Sequence, residues 1–176
     1  MDNNQNMGGH MSESNTLEIL KSALLLEIRG KAFYKKAAEN TEKQVVKDFF
    51  EKMAEDEVSH VEILSEQYRA YKQNGKFTPR ALDGSQEKVA AAVLTPELKE
   101  SIAAAGFESA AISAAMGMEE RAIALYSKRS EEADDPEEKA LYEWLAEWET
   151  EHLEYLAKID KEVTETIWHD NSFWPF

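Results

Sequence analysis

Apolar residues recur along much of the chain at alternating steps of three and four residues, the spacing of one buried face of an α-helix. From about Thr16 to Asn40 this face contains Leu20, Leu24, Tyr34 and Ala38. After a turn at Asn40 and Thr41, a second face contains Val46, Phe50, Met53 and Leu64. The pattern therefore predicts two long helices that pack as a hairpin.

The C-terminal half repeats this arrangement. After Gly106 the apolar face contains Ile112, Met116, Ile123 and Tyr126, and after Pro136 it contains Tyr142, Leu145, Leu156, Ile159 and Val163. Residues 71–107 lie between the two halves and are broken by Asn74-Gly75, Pro79 and Gly84, so only short helices are expected there, such as one opening at Thr95-Pro96. The sequence predicts an all-α, four-helix bundle of two helical hairpins with a long crossover connection.

Several residues mark the expected boundaries. Thr41 and Gln44 form a capping-box pattern. Asp135 is suited to cap a helix whose first position is Pro136, and Glu138 three residues on fits a second capping box. We expect residues 1–14 to be disordered, 15–166 to form one helical domain, and 167–176 to be an irregular tail. The tail is rich in aromatic residues, which would pack on the bundle or at a dimer interface or, alternatively, dock to a larger shell: Trp168, Phe173, Trp174 and Phe176.

Six ionisable residues occupy positions on the apolar faces. Glu57 and His60 form a Glu-x-x-His motif, which recurs ninety-two residues later as Glu149 and His152. In the same register residues 23–66 align with 115–158, with 15 identities in 44 pairs, and this alignment also matches Glu27 with Glu119. One Glu-x-x-His alone is usually a solvated pair, but the repeated set on buried faces is not explained that way.

The four glutamates are expected at one height in the bundle. Glu27 and Glu57 are centred on residue 42, and Glu119 and Glu149 on residue 134, and both midpoints fall in predicted turns. Buried carboxylates cost several kcal/mol each unless they are compensated. Two divalent cations would neutralise four carboxylates, and oxygen and imidazole donors without thiolate favour iron or manganese, with zinc still open. The alternative is a metal-free bundle with a protonated polar network.

Two tyrosines repeat with this set. Tyr34 and Tyr126 each follow a glutamate of the set by seven residues, about two turns along the same face. They are candidates for hydrogen bonds to the ligands or for quenching radicals, and core packing is the alternative. Glu62 and Glu154 also repeat, but their positions lie off the apolar face and predict solvated side chains.

Composition narrows the classes of partner. A formal charge of −15 argues against nucleic acid and anionic membranes as partners. The sequence contains no cysteine, which excludes thiolate-ligated metal centres within it. It also contains no apolar run of about 20 residues and no signal-peptide core, so we expect a cytoplasmic protein.

The six-residue pattern resembles that of ferritin-like di-iron carboxylate proteins. The flanking residues, Phe33-Tyr34 after Glu27 and Ala-Glu-Asp-Glu-Val-Ser-His at 54–60, look most like the rubrerythrin family, and the resemblance covers about residues 16–165. It implies that two iron ions are bound, with Glu57 and Glu149 as bridges, by Glu27, Glu57, His60, Glu119, Glu149 and His152. In two respects the chain departs from the family: Ala122 stands where rubrerythrins often have a further glutamate, and a rubredoxin domain is lacking. Val58 stands where bacterioferritins have a haem-ligating Met, which predicts no haem.

The resemblance implies an oxidoreductase that reduces hydrogen peroxide or dioxygen with electrons from an external donor, such as a rubredoxin-like protein, and that forms a homodimer. An iron-storage protein with ferroxidase activity is the alternative, and a metal-free interaction module is a third. Because the two halves repeat, His60 and His152 are expected to contribute equally to metal binding.

Overall fold

The computed structural model describes residues 5–79, 95–103 and 106–169, and all of its regular elements in these ranges are helices. In chain order they are α1 (Gln5–Asn40), α2 (Gln44–Asn74), α3 (Pro96–Ala103), α4 (Gly106–Glu132) and α5 (Pro136–His169). Helices α1 and α2 pack along each other as one hairpin, and α4 and α5 as a second. The predicted four-helix bundle of two hairpins with a connecting segment is confirmed.

The bundle core consists of two apolar clusters separated by the polar set. On every long helix the Glu or His residues fall between positions of one cluster and positions of the other. The cluster at the α1–α2 turn includes Phe50, Ile112 and Leu156, and the cluster at the α4–α5 turn includes Leu20, Leu64 and Leu145. Burial of these side chains on both sides supplies the hydrophobic stabilisation that offsets the cost of a polar centre.

Helix α3 lies within the connection and contributes to the first cluster. Its Leu98 and Ile102 are fully buried, and the helix contacts α2, α4 and α5. The backbone N–H of Leu98 donates to the Thr95 hydroxyl at 3.1 Å, which caps the helix as expected from Thr95-Pro96. The predicted short helix in the connection is therefore confirmed, while residues 80–94, including Gly84, lie outside the described residues.

The turns correct two expectations. Lys43 is the residue that precedes α2, and its side chain makes no capping bond, so the capping box predicted for Thr41 and Gln44 was wrong. The Thr41 hydroxyl instead donates to the Glu108 carboxylate at 2.7 Å, which joins this turn to the first turn of α4. The second hairpin brings Glu108 beside the turn, and α2 begins two residues later than a capping Thr41 would require.

At the α4–α5 turn, Asp135 caps the helix as predicted, since its Oδ1 accepts the N–H of Glu137 at 2.8 Å. Glu138 does not complete a capping box. It accepts from Arg129 instead, with the Nε of Arg129 at 2.8 Å. The α4–α5 turn is thus fixed by one cap and one ion pair across it.

The ends of the long helices differ from the prediction. Helix α1 begins at Gln5 instead of near Thr16, so residues 5–14 are helical where disorder was expected. No Pro interrupts this stretch, and adding turns to an existing helix is easier than nucleating one. Helix α5 continues to His169, past the boundary expected at residue 167, and Trp168 is exposed. Phe173, Trp174 and Phe176 lie outside the described residues. No described helix combines the length and apolar character of a membrane span.

Replacing Asp135 with Ala should lower the free energy of unfolding by about 1 kcal/mol, because the Glu137 N–H loses its acceptor at the start of α5. Lys43→Ala is the matched control, since Lys43 precedes α2 without a capping bond and its loss should change stability by less than about 0.5 kcal/mol. Urea unfolding of the two variants measures the difference. Equal losses in both would contradict this description of the turns.

Candidate metal centre

Each long helix places part of the polar set at the middle of the bundle. Glu27 comes from α1, Glu119 from α4, and one Glu-x-x-His pair from each of α2 and α5. All six side chains are buried, and none of the six residues is more than 3% exposed. By contrast, Glu62 and Glu154, which also repeat, are exposed as predicted. The six residues are therefore buried because of the helix faces on which they lie, whereas Glu62 and Glu154 lie on other faces of the same helices.

Two overlapping groups of four residues can each hold a cation. One contains Glu27, Glu57, His60 and Glu149, and the other contains Glu57, Glu119, Glu149 and His152. Within each group one donor atom per residue lies within 4.8 Å of the others. Glu57 and Glu149 belong to both groups, which is the position that a carboxylate bridging two ions must occupy.

The two histidines face the carboxylates through the same ring atom. His60 Nδ1 lies 3.0 Å from Glu149 Oε1 and 3.2 Å from Glu27 Oε2. His152 Nδ1 lies 3.1 Å from the other oxygen, Glu149 Oε2. The carboxylate of Glu149 thus has one oxygen beside each imidazole, so its two oxygens are directed toward the two groups.

Two tyrosines form hydrogen bonds between the two hairpins at the height of the polar set. The Tyr34 hydroxyl on α1 donates to Glu119 on α4, and the Tyr126 hydroxyl on α4 donates to Glu27 on α1. Each tyrosine therefore binds the glutamate of the opposite hairpin, and the sequence did not predict this crossing. Both rings are fully buried and stack on aromatic residues of the adjacent α-helix, Phe50 and Tyr142. The hydrogen bonds fix the orientation of the two outer carboxylates.

The electrostatics of the metal-free site favour protonated acids. Burial, together with the charge of Glu149, raises the pKa of Glu119 to about 8 and holds the pKa of Glu57 well above its usual value. Burial also acts to raise the pKa of Glu149, but the charge of His60 and the bond from His152 outweigh it, and the pKa falls below its usual range. The raised pKa values of Glu57 and Glu119 favour their protonated forms, and the raised pKa values of His60 and His152 favour imidazolium, so cations that bind these groups in their deprotonated forms must displace protons.

A family model for rubrerythrin matches residues 18–160, most of the chain and all six residues of the polar set. The chain belongs to the rubrerythrin family. No curated protein matches it, and no solved structure does.

The residues of this rubrerythrin-family protein fit a pair of divalent cations. Four glutamates and two neutral imidazoles supply oxygen and nitrogen donors that suit iron, manganese or zinc. Within the described residues, Oε1 of Glu149 is buried and makes no well-directed hydrogen bond, although His60 Nδ1 lies 3.0 Å away. A buried carboxylate oxygen that lacks a well-directed donor costs free energy, which a bound cation would recover.

The surroundings of the two histidines are not equivalent. Asp56 Oδ2 lies 3.3 Å from His152 Nε2, and the indole Nε1 of Trp148 lies 3.1 Å from the same nitrogen. A cation on Nδ1 leaves the ring proton on Nε2, and only Asp56 can accept it, because an indole cannot. Asp56 therefore orients His152 in the state that binds metal.

His60 has no such partner. Its Nε2 is buried without a hydrogen bond in the described part of the chain, and the rings of Trp144 and Trp148 stand edge-on to it at 5.8 and 5.4 Å. Asp56 and Trp148 occupy equivalent positions of the repeat, so the two halves differ where the second hydrogen bond of each histidine is made. Sequence reasoning missed both residues, although this mismatch directly before the two motif glutamates was a usable signal.

Because of this asymmetry we expect His152 to contribute more to metal binding than His60, in place of the equality that the repeat predicts. Asp56→Asn should weaken one of two metal-binding steps about tenfold or more, since loss of a carboxylate behind a ligating imidazole typically has that effect. Glu55→Gln is the matched control, because Glu55 is exposed and pairs only with Lys52 among the described residues. Competition with a chromophoric chelator measures the affinity of both metal-binding steps. Equal weakening of the two steps by Asp56→Asn would contradict the expected difference between His152 and His60.

Proposed function

We propose that this protein is an oxidoreductase that reduces hydrogen peroxide at a carboxylate-bridged pair of metal ions, with iron as the pair. The observation that carries the proposal is the two overlapping buried groups that share Glu57 and Glu149. A single cation site would need only one of these groups. A structural polar network would not need four carboxylates at one level with two imidazoles.

In this proposal Glu27 and His60 would hold one ion, Glu119 and His152 would hold the other, and Glu57 and Glu149 would be shared by both. Such a pair of ions, when reduced, would supply the two electrons and would stabilise charge on the peroxide oxygens. The overall change is that one peroxide, two electrons and two protons give two waters. Tyr34 and Tyr126 hold the outer carboxylates in place and, as redox-active side chains in contact with the site, are candidates to quench radicals.

The electrons come from outside this helical domain. Residues 1–176 contain no cysteine, so they cannot form a rubredoxin-type centre to refill the pair. A rubredoxin-like carrier is the donor we propose, and the acidic surface of the protein would affect which carriers dock. We also propose that the protein is a homodimer.

Pre-reduced protein should consume about one hydrogen peroxide per pair of metal ions and then stop, because each pair holds two electrons. Addition of a rubredoxin-like carrier with its reductase should restore continuous turnover. Stopped-flow mixing under anaerobic conditions measures the stoichiometry. Glu57→Gln should abolish the burst, whereas Glu62→Gln, which changes an exposed glutamate of the same helix, should leave it intact.

Two outcomes would contradict the proposal. Sustained peroxide loss with release of oxygen and no added reductant would indicate dismutation, which is chemistry suited to manganese. Uptake of far more than two irons per chain, with mineral growth and a many-subunit assembly in solution, would indicate iron storage.

A further inference from the structure

A cavity of about 410 Å³ lies between α1 and α4 beside the proposed metal centre. Its inner wall includes three buried carboxylates, those of Glu27, Glu57 and Glu119. Its other lining residues include two exposed arginines, Arg29 and Arg121. The cavity therefore connects the surface of the protein with the polar centre.

Small residues line the part of this cavity that lies next to the proposed metal centre. A Cβ on Gly30 would lie 3.2 Å from the carboxyl carbon of Glu57, closer than most real contacts, so a side chain there would crowd that carboxylate. Ala122 is the equivalent residue of the second half and also lines the cavity. Small residues at both equivalent positions leave free volume directly beside the carboxylates.

The volume exceeds the need of a diatomic or peroxide substrate. A water molecule has a share of liquid volume of about 30 Å³, and hydrogen peroxide, with only one more heavy atom, needs less than twice that. Pockets for small organic molecules begin at about 300 Å³. A cavity of about 410 Å³ is thus of the size that accepts an organic molecule of roughly ten heavy atoms or more.

Residues of opposite charge line the inner end and the opening of the cavity. Carboxylates lie at the inner end, Leu26 and Met118 contribute apolar walls, and the guanidinium-bearing residues Arg29 and Arg121 are exposed. The two arginines occupy equivalent positions of the repeat, so both halves present a cation to the same opening. In a protein with a net charge of −15 this is a local reversal of sign that favours an anionic group at the opening.

We propose that the cavity binds an amphiphilic organic hydroperoxide whose carboxylate or phosphate group pairs with Arg29 and Arg121. Its apolar body lies along Leu26 and Met118, and its uncharged hydroperoxide group reaches the carboxylate end. In the reverse orientation the anion would lose both guanidinium partners, because Arg29 and Arg121 are exposed and the other end of the cavity is lined by buried carboxylates. The inference rests on the proposed peroxidase function and names the substrate class for that site.

Reduction of the organic hydroperoxide takes the same number of electrons and protons as reduction of hydrogen peroxide. The O–O bond breaks, the organic oxygen leaves as an alcohol and the distal oxygen as water. The step takes up two electrons, which the external one-electron carrier protein supplies, and two protons from solvent.

Binding of unreactive probes tests the subsite without turnover. Octanoate and octyl phosphate should bind zinc-loaded protein more tightly than 1-octanol does, as measured by calorimetry. Arg29→Gln with Arg121→Gln should weaken binding of the two anions about tenfold or more, since each guanidinium makes charge-assisted bonds. Arg69→Gln is the matched control, because Arg69 is exposed on α2 and does not line the cavity. Circular dichroism verifies that both variants fold.

The outcomes separate this inference from the proposed function. Octanol that binds as tightly as the anions, or anion binding that survives loss of both arginines, would overturn the subsite even if hydrogen peroxide is reduced. Arginine-dependent binding of the anions by a protein that does not reduce hydrogen peroxide would support the subsite and refute the peroxidase. Tighter binding of either anion supports the subsite and identifies the headgroup.

Discussion

The buried negative charge at the middle of the bundle is the constraint on which the rest of this structure depends. Four carboxylates and two imidazoles lie together with no more than 3% exposure each. Each ionised carboxylate removed from water costs several kcal/mol unless an opposite charge compensates it. The apolar clusters on both sides, the crossed Tyr–Glu bonds and the protonated state of Glu119 all reduce or offset that cost. Divalent cations compensate it most directly.

The internal repeat forms both halves of the centre, and the positions at which the two halves differ make the surroundings of the two histidines unequal. Identical residues at equivalent positions form both halves of the centre and both tyrosine bonds. The halves differ at Asp56, whose carboxylate lies near His152 Nε2, and at the equivalent Trp148, whose indole lies beside both His152 and His60. A duplicated hairpin thus gives two similar cation positions that need not have equal affinity.

Much of the fold and the composition of the site could be predicted from the sequence. Helical periodicity placed Glu27, Glu57 and His60 on buried faces, and the repeat fixed their partners in the second half. The tertiary bonds could not be predicted, because they join residues far apart in the chain. Tyr34 reaches Glu119 across 85 positions, and Thr41 reaches Glu108 across 67.

The limits of helices were also less predictable than their faces. Apolar periodicity reports burial, so it could not fix the residue at which α1 begins, Gln5. The second helix begins only after Lys43, and the Thr41 hydroxyl makes a tertiary bond to Glu108 that the local sequence does not show. The cavity beside Gly30 depends on how α1 and α4 diverge in space, and no local pattern in the sequence carries that information.

The most direct test of the central claim is thermal unfolding of the metal-free protein titrated with Fe(II) under anaerobic conditions. Two ions should be retained per chain, and the melting temperature should rise with the free Fe(II) concentration, because only the folded protein binds the ions. At a free metal concentration of 100 times Kd, a bound ion adds about 2.7 kcal/mol, which corresponds to a rise of roughly 5–10 °C for a chain of this size. A melting temperature that stays unchanged, with no ions retained, would show that the buried carboxylates are a structural network and not a metal centre.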